Sequence, residues 1–550
     1  MAERPRSTIS SALIFHMNDK IIGFTISARA IDHSDVDVFS RGLSRKDFQS
    51  GGCFVYLWGI GNLDKCFLAP DVISLSWPQH DSLLDRNVLI SLRPEGLSVE
   101  NDWLGSLPVF YNDTEMIVST LVNKTIVPGR LAWDAAGLND FLDCGFSVLE
   151  RTPVKGVRFL RHFSRIILDR AGLRVEYKPE PFNIKDKKPS DPALVLGNIK
   201  DYVQAAESRV AGGIIIPTSG GFDSRLLNSL IKEKGRIRSF TYGLSDDQDQ
   251  SDEVVKAREL SKIMGSKWSR VELGDFHKFS EAWWRLFGPA VHLHGMYQIE
   301  FYDQISRQLA AGDSALLSGL IGDAWSGKFS LGPIVSADEV CQLALSHGLN
   351  SSSRASRLKD ADRAKADFLL QSRAMLEDER GRVIMSMRFK LMLLNYLMAV
   401  PDYFGWPSFT PFLNLDLVSQ MLNLPEAAKQ DRQWQINHFA AQGIDLESKN
   451  LDFDRHNSLN FQALKKSPLD PIDAGLLTEL ADEKYLERLN KQYGRLLKRR
   501  QDSDIWESLA RNRYIAKLLS LIGYRKPAIM KAYYEILVIK TLEYAIKKSK

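Results

Sequence analysis

The chain has 550 residues, 25% charged and 44% hydrophobic, and its 72 lysines and arginines nearly balance its 68 aspartates and glutamates. At about 150 residues per domain this is enough for several buried cores, and the composition excludes collagen-like, coiled-coil and wholly disordered classes. A net charge of +4 on so long a chain leaves no broad electrostatic footprint for nucleic acid, only local basic patches.

Cys53, Cys66, Cys144 and Cys341 stand far apart, with no CxxC pair and no histidine at zinc-finger spacing. Neither a disulfide framework nor a structural zinc site is expected, and a cytoplasmic location is. The apolar run at 12–15 is too short for a signal-peptide core. The longest run, 391–400, contains Asn395 and follows Arg388 and Lys390, so it reads as a buried helix and not as a membrane span.

From about residue 10 to 180 the apolar residues come in short β-rich runs at 12–15, 21–26, 53–58, 88–92, 116–121 and 159–168. Turn formers separate them, among them Gly51-Gly52, Asn62, Pro94-Glu95-Gly96 and Asn112-Asp113, which predicts a meandering antiparallel sheet. Residues 178–192, rich in Lys, Pro and Asp and without period, read as a solvated linker and set a boundary between domains at 1–180 and 190–550. Beyond it a helix (193–210), a strand (212–217), a helix (223–234), a strand (238–242) and a helix (253–264) alternate. Such alternation predicts a parallel sheet covered on both faces. A third strand is expected at 315–318, after which the chain reads as helical. Residues 475–550 form a helical extension that carries a basic cluster at Lys498, Arg499 and Arg500.

The segment Pro217-Thr218-Ser219-Gly220-Gly221-Phe222-Asp223-Ser224-Arg225 stands where a buried strand hands over to a helix. Adjacent glycines let backbone approach a ligand closely, and the N–H groups of a helix start form an anion nest aided by the helix dipole. Ser219 and Ser224 add hydroxyls. Asp223 would repel a bare phosphate, so its presence implies a divalent cation bridging it to phosphates. The plainer alternative is a Gly-Gly turn with Asp223 capping the helix. No Gly-Lys-Ser/Thr follows, so this is not a Walker A loop.

Ser219 to Ser224 resembles the pyrophosphate-binding loop of the ATP pyrophosphatases (the PP-loop superfamily), in the version carried by the asparagine synthetase-like family. Phe240-Thr241-Tyr242-Gly243 resembles that family's second-strand segment, and Ser251-Asp252-Glu253 with Ala257 and Lys262-Ile263-Met264-Gly265 its acidic turn and following helix. Leu317-Ser318-Gly319 with Gly322-Asp323 and Gly327 resembles its LSG…GADE…GG stretch, and Phe409 to Asn414 with Leu417-Val418 its PFLD…LV landmark. The resemblance covers about residues 190 to 425. It implies an ATP-dependent carbon–nitrogen ligase: a carboxylate attacks the α phosphate of ATP, pyrophosphate leaves, and an amine or ammonia captures the acyl-adenylate. It implies that Ser219, Gly220, Gly221, Asp223 and Ser224 hold pyrophosphate with Mg2+, that Asp323 also holds Mg2+, and that Tyr242, Gly243, Ser318 and Gly319 lie against adenosine. Asp223 and Asp323 are then the catalytic and metal-binding pair. The implied fold is α/β, with an N-terminal β-rich domain like an Ntn-hydrolase glutaminase and a C-terminal parallel-sheet domain whose later half is helical.

The sequence also departs from that family. Glutamine-dependent members carry a cysteine after the initiator methionine, and here Ala2 stands there, with no cysteine before Cys53. The segments around Gly52 to Trp58, and around Asp102, Gly105, Pro108 to Tyr111 and Ser119, still resemble the glutaminase domain, so a degenerate one is expected, as in β-lactam synthetases and lasso peptide cyclases. Cys53 itself reads as a buried packing residue. Leu320 follows LSG where relatives place Glu, Tyr or His, and leucine shuttles no proton. Ala324 replaces the GADE glutamate. His292 and His294 are candidate bases, although histidines two apart face different sides of a helix. Arg455, in Asp452 to Ser458, is the local match to the family's adenylation lysine, with Lys465 and Lys466 as rivals.

The sequence thus predicts amide formation on a small-molecule, sugar-acid or peptide carboxylate, with no nucleic acid and no membrane, and leaves room for a homodimer or pathway partner. Intramolecular ring closure and a non-catalytic ATP-binding homologue are the alternatives.

Overall fold

The computed structural model describes residues 18–309, 312–345, 349–359, 363–498 and 530–549. Ala2, the strand expected at 12–15, Arg499 and Arg500 lie outside them. The protein is a mixed α/β structure with two antiparallel sheets and one parallel sheet.

The first antiparallel sheet runs, edge to edge, Val157–Phe159, Phe110–Asn112, Ile117–Ser119, Lys20–Ser27, Cys53–Ile60, Ser44–Ser50. The second runs Gly172–Tyr177, Ser164–Asp169, Gly96–Asn101, Val88–Arg93, Val72–Ser74, Phe67–Ala69. Side chains alternate across a strand, so Ile166 and Leu168 point inward from the second sheet and meet Ile26, Val55 and Leu57 of the first in one buried cluster. The expectation of a single meander is therefore corrected. Lys20–Ser27 pairs with strands from both sides, and each apolar sheet face needs cover that only a second layer supplies. The apolar run at 159–168 is likewise two strands in two different sheets, turning through Phe163 at φ 49°.

Residues 178–191 carry no regular element and are mostly exposed. They are nevertheless strapped down. Arg388 forks onto Glu180 at 2.7 and 2.9 Å, Arg380 donates to the carbonyls of Ile184 and Asp186, and Phe182 is buried.

The parallel sheet has the order Lys267–Arg270, Ile237–Thr241, Ile214–Pro217, Ala315–Leu317, Ser408–Phe409. Ile214, Ile215 and Ile216 are wholly buried, as a strand covered on both faces requires. Two strands escaped the sequence. Lys267–Arg270 is an edge strand whose one large apolar side chain is Trp268, and Ser408–Phe409 is two residues long. Ala315–Leu317 is thus fourth in the chain, and it lies on the opposite side of Ile214–Pro217 from the second and third. That reversal is a topological switch point, outside whose carboxyl end such sheets open a crevice.

The helix expected at 223–234 spans Phe222–Leu230, because Ile231 turns extended at ψ 130°. The apolar stretch 379–403 is the one segment among the described residues long and apolar enough to cross a membrane, yet 78% of its most apolar 18-residue window is buried within the protein. It forms two helices, Glu379–Leu394 and Tyr396–Tyr403, joined at Asn395. They pack against the sandwich: Arg388 donates to Trp103 O, and Lys20 pairs with Asp402.

Candidate functional site at the switch point of the parallel sheet

The first strand of the parallel sheet ends at Pro217 and leads into Thr218, which is tied on every side. Its N–H donates to Phe240 O at 2.9 Å, its carbonyl accepts from the Thr241 hydroxyl, and its own hydroxyl accepts from Asn228 Nδ2 at 3.0 Å. Gly220 follows at φ 66°, and a Cβ there would lie 2.3 Å from Lys256 Cβ. Both the left-handed backbone and the close approach demand glycine. Arg225, fully buried, donates to Gly220 O at 2.7 Å and forks onto Glu447 at 2.6 and 2.9 Å. The loop is thereby held open from within, before any ligand arrives.

Gly221 caps the Phe222–Leu230 helix without a side-chain hydrogen bond, so the plainer reading of Asp223 as the cap does not hold. The first N–H groups of the helix are thus left without a side-chain cap. The hydroxyls of Ser219 and Ser224 lie 3.5 Å apart and make only long contacts, 3.3 Å each, to the Gly221 and Ser219 backbone.

Asp223 is half-buried, and its Oδ1 is sealed from solvent with no hydrogen-bond partner. The amide of neighbouring Gln435 is buried too, and it lies close enough to favour the Asp223 carboxylate without making a hydrogen bond of ordinary geometry. Burial, and then the nearby Asp323 carboxylate, push the Asp223 carboxyl up to about 7. Asp323 sits on the short Gly322–Trp325 helix, 45% exposed and 3.3 Å from Lys328 Nζ. Gly322 lets this helix close on the loop, since a Cβ there would lie 2.9 Å from Asp223 Cγ. A Cβ on Gly319 would lie 3.4 Å from Asp223 Cβ.

Facing the two carboxylates are cations that the sequence did not single out. Arg432 holds a left-handed backbone (φ 58°) directly after Asp431 (φ 50°), with its guanidinium 3.8 Å over the Phe222 ring. Burial lowers its proton affinity while Asp223 and Asp323 oppose that loss. Lys390 is lowered by burial and raised by Asp323 in the same way. No motif marks either residue; only the fold brings them to the crevice.

The other expected contacts lie on neighbouring strand ends. Tyr242 packs edge-on against Tyr297 and Phe301 at 5.8 and 5.2 Å, and burial holds its hydroxyl far above the ordinary tyrosine range. Gly243 leaves no room for a Cβ, which would meet Gln248 O at 2.4 Å. Ser318 N donates to Phe409 O at 2.9 Å, and Ser318 Oγ accepts from Leu320 N at 3.2 Å. Leu320 and Ala324 are buried with the apolar core.

Of the adenylation candidates, Arg455 stays near the loop. Asp454 bridges to Ser251, Arg455 Nε is 3.5 Å from Asp252, and Phe453 lies under Lys256, the residue that touches Gly220. Lys465 and Lys466 instead turn to Leu497 O and Asp275. His292 caps the 3-10 turn Leu293–Met296, and is not on a helix as expected; its Nδ1 accepts from His294 N. Burial pulls His292 down to about 3 and His294 to about 4, which makes both weak bases. Their partners, Gly145, Trp283 and Asn460, belong to a different part of the molecule from the loop.

Among the described residues no three His, Cys, Asp or Glu side chains converge as a ready metal cage. Two carboxylates with an orphaned oxygen fit a hard cation that takes its remaining ligands from phosphate and water. No protein-family model and no curated protein matches the chain.

Proposed function

We propose that the protein is an ATP-dependent ligase that activates a carboxylate as an acyl-adenylate and passes the acyl group to an amine. One observation carries this reading: at the switch point of a parallel sheet, a Gly-Gly helix-start loop meets a pair of carboxylates, one of them with an orphaned buried oxygen, opposite Arg432 and Lys390. Anion donors, two carboxylates and cations in one crevice suit a polyphosphate with its divalent ion. They suit neither a neutral ligand nor a bare anion.

Mg2+, held by Asp223 and Asp323, would supply charge neutralisation at the phosphates. The uncapped N–H groups at the helix start and the Ser219 and Ser224 hydroxyls would take the charge that develops on departing pyrophosphate. Arg432 and Lys390 would offset the same charge from the far side. Tyr242 and Gly243, with Ser318 and Gly319, would flank adenosine. A substrate carboxylate oxygen attacks the α phosphorus and pyrophosphate leaves; the amine then attacks the acyl carbon and AMP leaves. Leu320 shuttles no proton, so the amine's proton passes to another group or to water.

The antiparallel sandwich supports a further reading as a glutaminase-like layer that has lost its nucleophile. Cys53 is buried on a core strand of this sandwich, where burial raises its thiol, so Cys53 is a packing residue and not a nucleophile. On this reading the amine comes from solution, from a partner, or from the substrate itself. ATP–pyrophosphate exchange on the purified chain, across a panel of carboxylates, tests the proposal. Exchange that depends on one acid and on Asp223 supports it, and absence of nucleotide binding refutes it.

A further inference from the structure

Two of the four thiols meet, although 196 residues stand between them in the chain. Cys144 ends the Ala135–Cys144 helix and is 3% exposed; Cys341 lies on the 3-10 helix Ala337–Ala344 and is half-buried. The helix that ends in Cys144 packs on the element that carries Cys341, and the two thiols lie close enough to act on each other's protonation. The helix that carries Cys144 is held by residues 350–358. Ser351 N donates to Leu142 O at 2.8 Å, Asn350 Nδ2 to Asp143 O at 2.7 Å, Ser353 N to Asp143 Oδ1 at 2.8 Å and Asn139 Nδ2 to Leu358 O at 3.0 Å. The Ala135–Cys144 helix is thus held firmly, and its packing on the Ala337–Ala344 element sets the two thiols beside each other.

A cation completes the site. Lys365 Nζ sits 3.1 Å from Asp140 Oδ1 and also hydrogen-bonds Cys341, while Arg151 holds the other Asp140 oxygen at 2.5 Å. The neighbouring Cys144 thiol, with help from Lys365 and against the pull of burial, lowers the proton affinity of Cys341, while Cys144 itself is held well above its ordinary value. The Lys365 cation beside Cys341 favours a thiolate there, and the deeper burial of Cys144 favours a proton on that sulfur. By contrast, burial raises both Cys53 and Cys66, the latter to about 11.

We propose that Cys144 and Cys341 form a reversible disulfide when the protein meets a hydroperoxide. The Cys341 thiolate attacks the peroxide O–O bond, which breaks to give a Cys341 sulfenic acid and, after protonation, an alcohol or water. Cys144 sulfur then attacks the Cys341 sulfur, the S–O bond breaks, and the departing oxygen leaves as water with the Cys144 proton. Two thiols are oxidised to one disulfide and one hydroperoxide is reduced. The bond would tie the Ala135–Cys144 helix to the 3-10 helix whose Leu343 carbonyl accepts from Ser386, on the same Glu379–Leu394 helix that carries Lys390. The modification does not depend on the ligase reading.

The full chain is exposed to excess hydrogen peroxide, alkylated under denaturing conditions, digested and analysed by mass spectrometry, with and without dithiothreitol. The expected product joins the Cys144 and Cys341 peptides, two hydrogens lighter than their sum and released by the reductant, with Cys53 and Cys66 still alkylated. In Cys144→Ser, Cys341 should be trapped as a sulfenic acid by dimedone and no cross-link should form. Before any oxidation, native Cys341 should alkylate at neutral pH about tenfold faster than Cys53, and Lys365→Met should slow it severalfold. The proposal is overturned if Cys341 reacts no faster than Cys53, or if it oxidises to the sulfinic acid without joining Cys144.

Discussion

At the seam between the sandwich and the parallel sheet, Lys20 Nζ lies 2.7 and 2.8 Å from the two Asp402 oxygens and 3.2 Å from Ser408 O. Asp402 Oδ1 also accepts from Ser408 N and Oγ, both at 2.8 Å, and Arg86 stands 3.7 Å from Oδ2. At the crevice the opposite holds. Asp223 faces a like charge, its Oδ1 has no partner, and Arg432 is kept in a strained backbone opposite it. Both clusters take carboxylates out of water, but only the first satisfies its carboxylate. A closed network of buried charges fixes a fold, whereas an open one stores an unmet demand for a ligand.

The sharpest break of that comparison is Asp223→Ala. It should lower ATP–pyrophosphate exchange by on the order of a hundredfold or more, because both a metal ligand and a phosphate bridge are lost. Its thermal midpoint should hold or rise, since the removed group was repelled by Asp323 and left unpaired. A fall of many degrees would place Asp223 with the structural cluster instead. The mirror experiment is Lys20→Met, which strands Asp402 in a buried site and should cost about 3–5 kcal/mol in urea unfolding. If that variant lost less than about 1 kcal/mol, the seam would be no tighter than a surface ion pair.

The two clusters also differ in what the sequence disclosed. Ile214 to Pro217 and Ser219 to Ser224 are local signals, a β-branched run followed by a glycine turn, and a chain read in order exposes them. Glu447, which holds Arg225 and through it the loop, arrives from 222 residues downstream, and Asp402 reaches Lys20 across 382. Such pairs carry no local signature, since any exposed helix presents charges like them. Arg432 and Lys390 escaped for the same reason. The weak strand Lys267–Arg270 escaped for another: its edge position asks for little apolar surface. The stacking of two antiparallel sheets was hidden because alternation tells which face of a strand is buried, but not what buries it.

A smaller effect separates charge from backbone at the open cluster. Arg432→Gly removes the guanidinium but suits the left-handed backbone, so exchange should drop about tenfold while stability is unchanged or improved by up to about 1 kcal/mol. Arg432→Ala should lose the same activity and keep the strain. Equal stabilities for the two variants would mean that the Asp431–Arg432 turn stores nothing.

The smallest expected effect is a shift of a few degrees in thermal midpoint, and it reports the protonation of the crevice. The Asp223 carboxyl releases its proton near 7 in the folded protein and near 4 when unfolded. Between those values the folded state binds the extra proton, so this group's contribution to stability declines as pH rises from about 4 to 7 and is flat above. A divalent cation needs the deprotonated form, and proton and metal therefore compete for the same oxygen. Added Mg2+ should raise the midpoint more at pH 8 than at pH 6, and Asp223→Asn should abolish the difference. Lys20→Met, whose cluster offers no open oxygen, should leave that difference intact. If Mg2+ stabilised the wild type equally at both pH values, the ion would be held by exposed Asp323 alone and the buried oxygen of Asp223 would not be its seat.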